Sequence, residues 1–235
     1  MLETQNLKAI LFDSGRVLNN PITGDWFIPP NFYKYVSRNK FELLDKNSIE
    51  MAFYKALQYL NEKNFILNET EEFEHFIEFY RIFSNELPVL ELNDTSIIEI
   101  AKDTVYNDKK FFFHEDVFEI IPQLSKNYKL GVISDTWPSL ERVFRNVGLR
   151  EYFSTFVMSS LIGVIKPNEL MFNTALSELN IKPEESLFID DSIKNIEGAS
   201  KLGMQTILMI RDENYKHDTD HLLIHNLNDL LALLR

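Results

Sequence analysis

Hydrophobic positions along the chain follow two grammars. Short apolar runs at residues 7–12, 128–133, 156–158, 187–189 and 206–210 mostly end in Gly, Ser or Asp, with stretches of helical period between them. Runs of this kind, apolar without alternation, suit strands of a parallel sheet covered on both faces. Between the first run and the second the period is helical instead. Ile49, Phe53, Ala56, Leu57 and Leu60 follow the capping-box-like Asn47-Ser48-Ile49-Glu50, and Phe73, Phe76, Ile77, Tyr80 and Phe83 follow Thr70. Ile97, Ile98, Ala101 and Val105 follow Asn93 and Asp94. These stripes are read as packing faces. Pro122 falls inside the helix expected before the second strand, which is therefore expected to start late or kink.

Glycine sharpens the division. Seven glycines are present, and none lies between residues 25 and 130. Strand-dense segments need glycine at turns, whereas short-looped helical segments manage without it. The expected fold is α/β: a doubly wound, Rossmann-like parallel sheet core with an inserted all-helical block.

With 235 residues, 45% hydrophobic and 26% charged, the chain has the composition of a globular protein rather than a disordered one. The absence of cysteine excludes disulfides, thiolate metal sites and cysteine nucleophiles. A net charge of -12 repels nucleic acid and anionic membranes, so a phosphate site must be local. No run approaches the roughly 18 apolar residues of a membrane span, and no basic, then apolar leader opens the chain. The expectation is a soluble, cytoplasmic protein with neither nucleic-acid nor membrane partners; oligomeric state stays open.

Parallel sheets bind ligands outside the carboxyl ends of their strands. There the chain reads Asp13-Ser14-Gly15-Arg16, then Ser134-Asp135-Thr136, then Gly163-Val164-Ile165-Lys166-Pro167, with a proline able to open a helix, and finally Asp190-Asp191-Ser192, with Asn195 one turn on. Singly, each has a plain structural use: Asp13 as turn or cap, Ser134 as N-cap, Lys166 in solvent, the Asp190-Asp191 pair as a helix cap. Together, three acids, a hydroxyl and a lysine meet at one sheet edge. Crowded acids repel, and a divalent cation relieves that repulsion; oxygen ligands with room for substrate phosphate suit magnesium. The lysine and hydroxyl would complete a phosphate cradle.

Walker, Gly-x-Gly-x-x-Gly and Gly-x-Ser-x-Gly patterns are all missing. His217, His221 and His225 are spaced by four, as for transition-metal ligands on one helical face, but their segment reads as a surface turn and short strand on which that spacing does not converge.

In this order, strand plus Asp-x-x-x-Val-Leu, strand plus Ser, Lys-Pro, and strand plus Asp-Asp-x-x-x-Asn, the chain resembles the haloacid dehalogenase-like hydrolase superfamily. The resemblance covers residues 7–19 and about 113–210, and residues 188–204, FIDDSIKNIEGASKLGM, are its most specific part. It implies a core of residues 1–19 and 113–235 and a helical cap of residues 20–112. It further implies a nucleophilic Asp13 that forms an aspartyl-phosphate, and Mg2+ held by Asp13, the Gly15 carbonyl and Asp191, with Asp190 and Asn195 in support. Ser134 would bond the transferring phosphoryl group of a small phosphorylated substrate, and Lys166 would balance charge on Asp13.

One departure matters. Phosphatases of the superfamily usually carry a second Asp two residues after the nucleophile as general acid and base, and here Gly15 stands in that place. Its loss costs about 100- to 10,000-fold on a poor leaving group. A subgroup including bacterial glucose-1-phosphate phosphatases has glycine there too, and the chain resembles it. Asp135 or a cap carboxylate remain candidate proton carriers, and Arg16 either contacts phosphate or points to solvent. The paired acids of the last motif argue against a 2-haloacid dehalogenase, and Gly15 against a phosphomutase. A catalytically weak binding or regulatory protein is the alternative of a different class. Trp26 and Phe27, directly after the first motif, are candidate substrate contacts.

Overall fold

The computed structural model describes residues 2–63, 65–212 and 220–234. Its strands, in chain order, are β1 (Ala9–Phe12), β2 (Asn19–Pro21), β3 (Phe111–Phe113), β4 (Lys129–Ser134), β5 (Phe153–Met158), β6 (Ser186–Asp190), β7 (Gln205–Met209) and β8 (Leu223–Ile224). Six of them form one sheet in the order β5-β4-β1-β6-β7-β8, every neighbouring pair parallel. All four residues of β1 are buried, as a strand between two neighbours and under helices on both faces requires. Ala9 and Leu11 point to one face, where they meet Phe188, Phe172 of helix Glu169–Leu179 and Ile196 of helix Ile193–Lys201. Burying each phenylalanine there contributes about 1.5–3 kcal/mol.

Two compact units are distinguished. One comprises Met1–Asn20, Phe113–Thr136 and Leu140–Arg235; the other comprises Pro21–Phe112 and Trp137–Ser139. The second holds helices Phe32–Tyr35, Arg38–Glu42, Lys46–Asn61, Glu69–Glu86 and Asp94–Tyr106. Its core is aromatic, with Phe53 and Phe83 stacked at 4.5 Å and Phe27 against Phe79 at 4.9 Å. The buried Tyr80 hydroxyl donates to the Phe27 carbonyl at 2.9 Å and lies 2.7 Å from Thr104 Oγ1. Ser139 is drawn into this unit by Glu72, which accepts from its N–H at 2.7 Å and its hydroxyl at 2.6 Å, while Lys110 Nζ donates to Ser139 Oγ at 2.7 Å. Burial raises the Glu72 pKa against the pull of Lys110 and Ser139.

Several local expectations are corrected. Helix Lys46–Asn61 is capped by Asp45, whose carboxylate accepts from the N–H groups of Asn47 and Ser48, so Asn47 lies inside the helix rather than at its cap. Strand β5 begins at Phe153, ahead of the apolar run read there. The helix containing Pro122 starts at Glu115 without delay and ends two residues after the proline, where a missing N–H forfeits only one helical bond. Pro167 precedes the N-cap Asn168 instead of opening the helix, because the Asn168 side chain takes the Leu170 N–H. The pair β2 and β3, at the passages of chain between the two units, is too short for its period to be legible.

Candidate active site

From β1 the chain proceeds to β4 and β5 on one side, then returns to β6, β7 and β8 on the other. The order reverses at β1, and a crevice outside the carboxyl ends is the standard consequence. Asp13 follows β1 directly; its N–H donates to the Ile189 carbonyl at 2.8 Å, so it continues the pairing with β6. Ser134 ends β4 and Asp190 ends β6, both buried. All the residues named in this site belong to the first unit.

Lys166 organises the site. Its ammonium, in a residue only 4% exposed, lies 2.7 Å from Asp13 Oδ1, 2.8 Å from Asp190 Oδ2 and 3.0 Å from the Ile133 carbonyl. Burial by itself pulls the lysine's pKa down, but Asp13, Asp190 and Asp135 outweigh it and hold the ammonium protonated. Asp190 is saturated: beyond Lys166 it accepts from the Ser192 N–H at 2.8 Å and from Asn195 Nδ2 at 3.2 and 3.1 Å. Burial raises its pKa, Asp13 adds to the rise, and Lys166 opposes it. Asp191 is raised by burial and by Asp13, and its Oδ2 lies 3.3 Å from the Arg16 guanidinium, whose side chain is 66% exposed.

Acids outnumber bases at this edge. Asp13, Asp135, Asp190 and Asp191 face Lys166, Arg16 and Lys194, and among the described residues Asp13, Asp190 and Asp191 each offer an oxygen within 4.8 Å of the others. An all-oxygen donor set with surplus negative charge fits a hard divalent cation such as magnesium.

The loop after Asp13 is tightly tied. The N–H groups of Leu18 and Asn19 donate to the Ser14 carbonyl, the Arg16 N–H donates to the Asn19 carbonyl at 2.7 Å, and Asn19 Nδ2 donates to Ser14 Oγ at 2.6 Å. Gly15, half-buried, bridges to Asn19. Arg16 holds a left-handed φ of 59°, which costs a non-glycine residue on the order of 1 kcal/mol and persists only where surrounding bonds enforce it. Asp135, beside Ser134, is exposed, and its Oδ1 accepts the Lys166 N–H at 2.9 Å.

Sequence reasoning missed a clamp beneath this loop. Arg211 donates to the Val17 carbonyl through Nε at 3.0 Å and Nη2 at 2.6 Å, while its Nη1 contacts both oxygens of Asp116 at 2.9 and 2.8 Å. Asp116 also takes the Leu227 N–H at 2.7 Å. Arg211 follows the fifth apolar run, where the rule about polar residues after strands would have found it. Elsewhere, Trp26 packs on Phe111 at 5.5 Å and Phe27 joins the aromatic core of its unit. His225 Nδ1 lies 2.7 Å from the Ile210 carbonyl, with β8 between it and His221; His217 lies outside the described residues.

The first unit is thus a parallel α/β core that carries an acidic, lysine-bridged centre at its switch point. The haloacid dehalogenase-like hydrolase model matches residues 43–209, well over half of the chain, and the chain belongs to that family. The glyceraldehyde 3-phosphate phosphatase of Methanopyrus kandleri is 34% identical over 121 residues, 47% of this chain and 50% of that relative, so the match spans about half of that relative's length. Its namesake from Methanocaldococcus jannaschii is 24% identical over 97% of this chain and 96% of its own. Among solved structures, a HAD phosphatase from Thermococcus onnurineus has a TM-score of 0.66 at 20% identity, covering 97% of this chain and 98% of that one. A 2-haloacid dehalogenase from Pseudomonas syringae has the same TM-score at 19% identity and the same coverage. A HAD family enzyme from Bacteroides thetaiotaomicron, as the wild-type protein in complex with magnesium and inorganic phosphate, has a TM-score of 0.56 at 20% identity, covering 90% and 98%. Among the described residues no helix is long and apolar enough to cross a membrane.

Proposed function

We propose that the protein hydrolyses small phosphomonoesters, sugar phosphates or similar metabolites, through a phosphorylated Asp13. The observation that carries this reading is Lys166, buried and bonded at once to Asp13 and Asp190. A carboxylate whose one oxygen is held by a permanent cation is fixed in orientation and keeps its other oxygen for attack. Asp190 anchors the lysine and is itself fixed by Asn195 and the Ser192 N–H, so it serves as support. Ser134 stands at the end of the adjoining strand, where its hydroxyl would bond the transferring phosphoryl group.

Asp13, Asp191 and the Gly15 carbonyl would hold magnesium, which supplies charge screening between carboxylate and phosphate. The phosphatase names of the relatives support this substrate class, and the magnesium-phosphate complex of the Bacteroides enzyme supports the cofactor. The fold is shared equally with a dehalogenase, but the three-acid cluster favours a metal-dependent reaction.

The test is phenol release from nitrophenyl phosphate with magnesium, beside EDTA-treated protein and Asp13→Asn. Turnover that requires both magnesium and Asp13 is expected. Folded protein without turnover would replace this reading with the binding or regulatory one, which Gly15 favours.

A further inference from the structure

Expelling an alcohol from phosphorus requires a proton for the departing oxygen, and Gly15 has none to give. At this sheet edge Asp13 is held by Lys166, Asp190 by Lys166, Asn195 and the Ser192 N–H, and Asp191 by Arg16. Asp135 is placed differently. It follows β4, the neighbour of β1, and since Phe12 pairs with Val132, its α-carbon lies within roughly 10 Å of that of Asp13. Its Oδ1 accepts the N–H of Lys166, the residue that touches the nucleophile, and its Oδ2 accepts no hydrogen bond from the described residues. The residue is exposed, so a substrate oxygen has access to it.

We propose that Asp135 is the proton carrier of the reaction, protonating the leaving alcohol and then deprotonating the attacking water; this rests on the phosphatase reading above. As an Asp13 oxygen bonds to phosphorus, the bond from phosphorus to the ester oxygen breaks, and that oxygen takes the Asp135 proton to leave as neutral alcohol. Asp135, now a carboxylate, removes a proton from water as the water oxygen bonds to phosphorus and the bond from phosphorus to Asp13 breaks. Inorganic phosphate leaves, and Asp13 and protonated Asp135 are regenerated. The charged groups facing Asp135 are Asp13, Lys166 and, from helix Ile193–Lys201, Lys194. Desolvation raises its pKa, with Asp13 adding and the two lysines opposing, which is the direction a proton donor near neutrality needs.

The experiment compares glycerol phosphate, a poor leaving group, with nitrophenyl phosphate, a good one, on wild type and Asp135→Asn. The variant keeps an oxygen for the Lys166 N–H, so it removes the proton and spares the loop. For glycerol phosphate kcat/KM is expected to fall about 100- to 10,000-fold, and for nitrophenyl phosphate by less than about tenfold. Equal losses on both esters, or none on glycerol phosphate, would overturn the proposal. Wild type supplies a second measurement that needs no variant: kcat/KM across alcohols of graded acidity should change shallowly, and a steep dependence would also overturn it. Wild type inactive on both esters would overturn the phosphatase reading and this proposal together, whereas Asp13-dependent turnover with a steep dependence overturns this proposal alone.

Discussion

Gly198→Ala separates stability from activity. Gly198 lies in helix Ile193–Lys201, and a β-carbon built there stands 2.4 Å from Pro167 Cβ, 3.4 Å from its carbonyl oxygen and 3.5 Å from its Cα. Carbon atoms rest about 3.5–4.0 Å apart, so the first contact is short by more than about 1 Å. The obstacle is a ring and its backbone, which yield far less readily than the end of a flexible side chain. In a helix interior alanine is worth about 1 kcal/mol over glycine, and overpacking costs about 1–3 kcal/mol, so the net loss of stability is about 0–2 kcal/mol. Activity should suffer more. Pro167 is joined to Lys166, whose ammonium sits 2.7 Å from Asp13, and misplacement by about 1 Å at a reacting group costs up to about 100-fold. The assay is kcat/KM on nitrophenyl phosphate with magnesium, beside a thermal melt of the same preparation. Wild-type kcat/KM in a stable variant would refute the reasoning, since it would mean that helix and loop part without moving Lys166.

Arg211→Met should cost about 3–5 kcal/mol, because it leaves Asp116, whose side chain is 10% exposed, charged without its partner and frees the Val17 carbonyl. Denaturant unfolding of Arg211→Met, Asp116→Asn and the double variant should give a double-variant loss well below the sum of the single losses; additive losses would mean that the two residues act separately. If Asp191 holds magnesium as proposed, the ion should stabilise the protein more at about pH 7 than at about pH 4.5, just above the ordinary carboxylate value, since burial and Asp13 raise the Asp191 carboxyl and the cation must displace its proton. The sign agrees with folding linkage: a carboxyl raised in the folded state holds protons that the unfolded chain has released, so metal-free stability falls as pH rises from the ordinary carboxylate range through the raised value. Equal magnesium-induced shifts in melting temperature at the two pH values would refute this.

Much of the molecule was legible in the chain because the relevant signals are local. A four-residue apolar run such as AILF, too short for a helix and closed by Asp and Gly, suits a strand, the 3.6 period of Phe73, Phe76, Ile77, Tyr80 and Phe83 is a helix face, and the change from one period to the other marks where the sheet gives way to helices. Asp13, Ser134 and Asp190 were visible for the same reason, each standing at the end of its own strand. The cap of helix Lys46–Asn61 was misplaced because two acceptors, Asp45 and Asn47, lie within one turn, and only the backbone decides which side chain meets the free N–H groups.

What the tertiary structure alone decided is partnership. The motif order brings Lys166 to Asp13 only by resemblance, nothing in it bridges that ammonium to Asp190, and nothing joins Arg211 to Val17 across 194 positions or Ser139 to Glu72 across 67. Period and turn chemistry are properties of neighbouring residues, fixed by backbone sterics over a few positions. The reach of a lysine, the charge left unbalanced around three carboxylates and the space denied to a methyl group at Gly198 are set by strands and loops distant in the chain, so they exist only once the sheet has closed around β1.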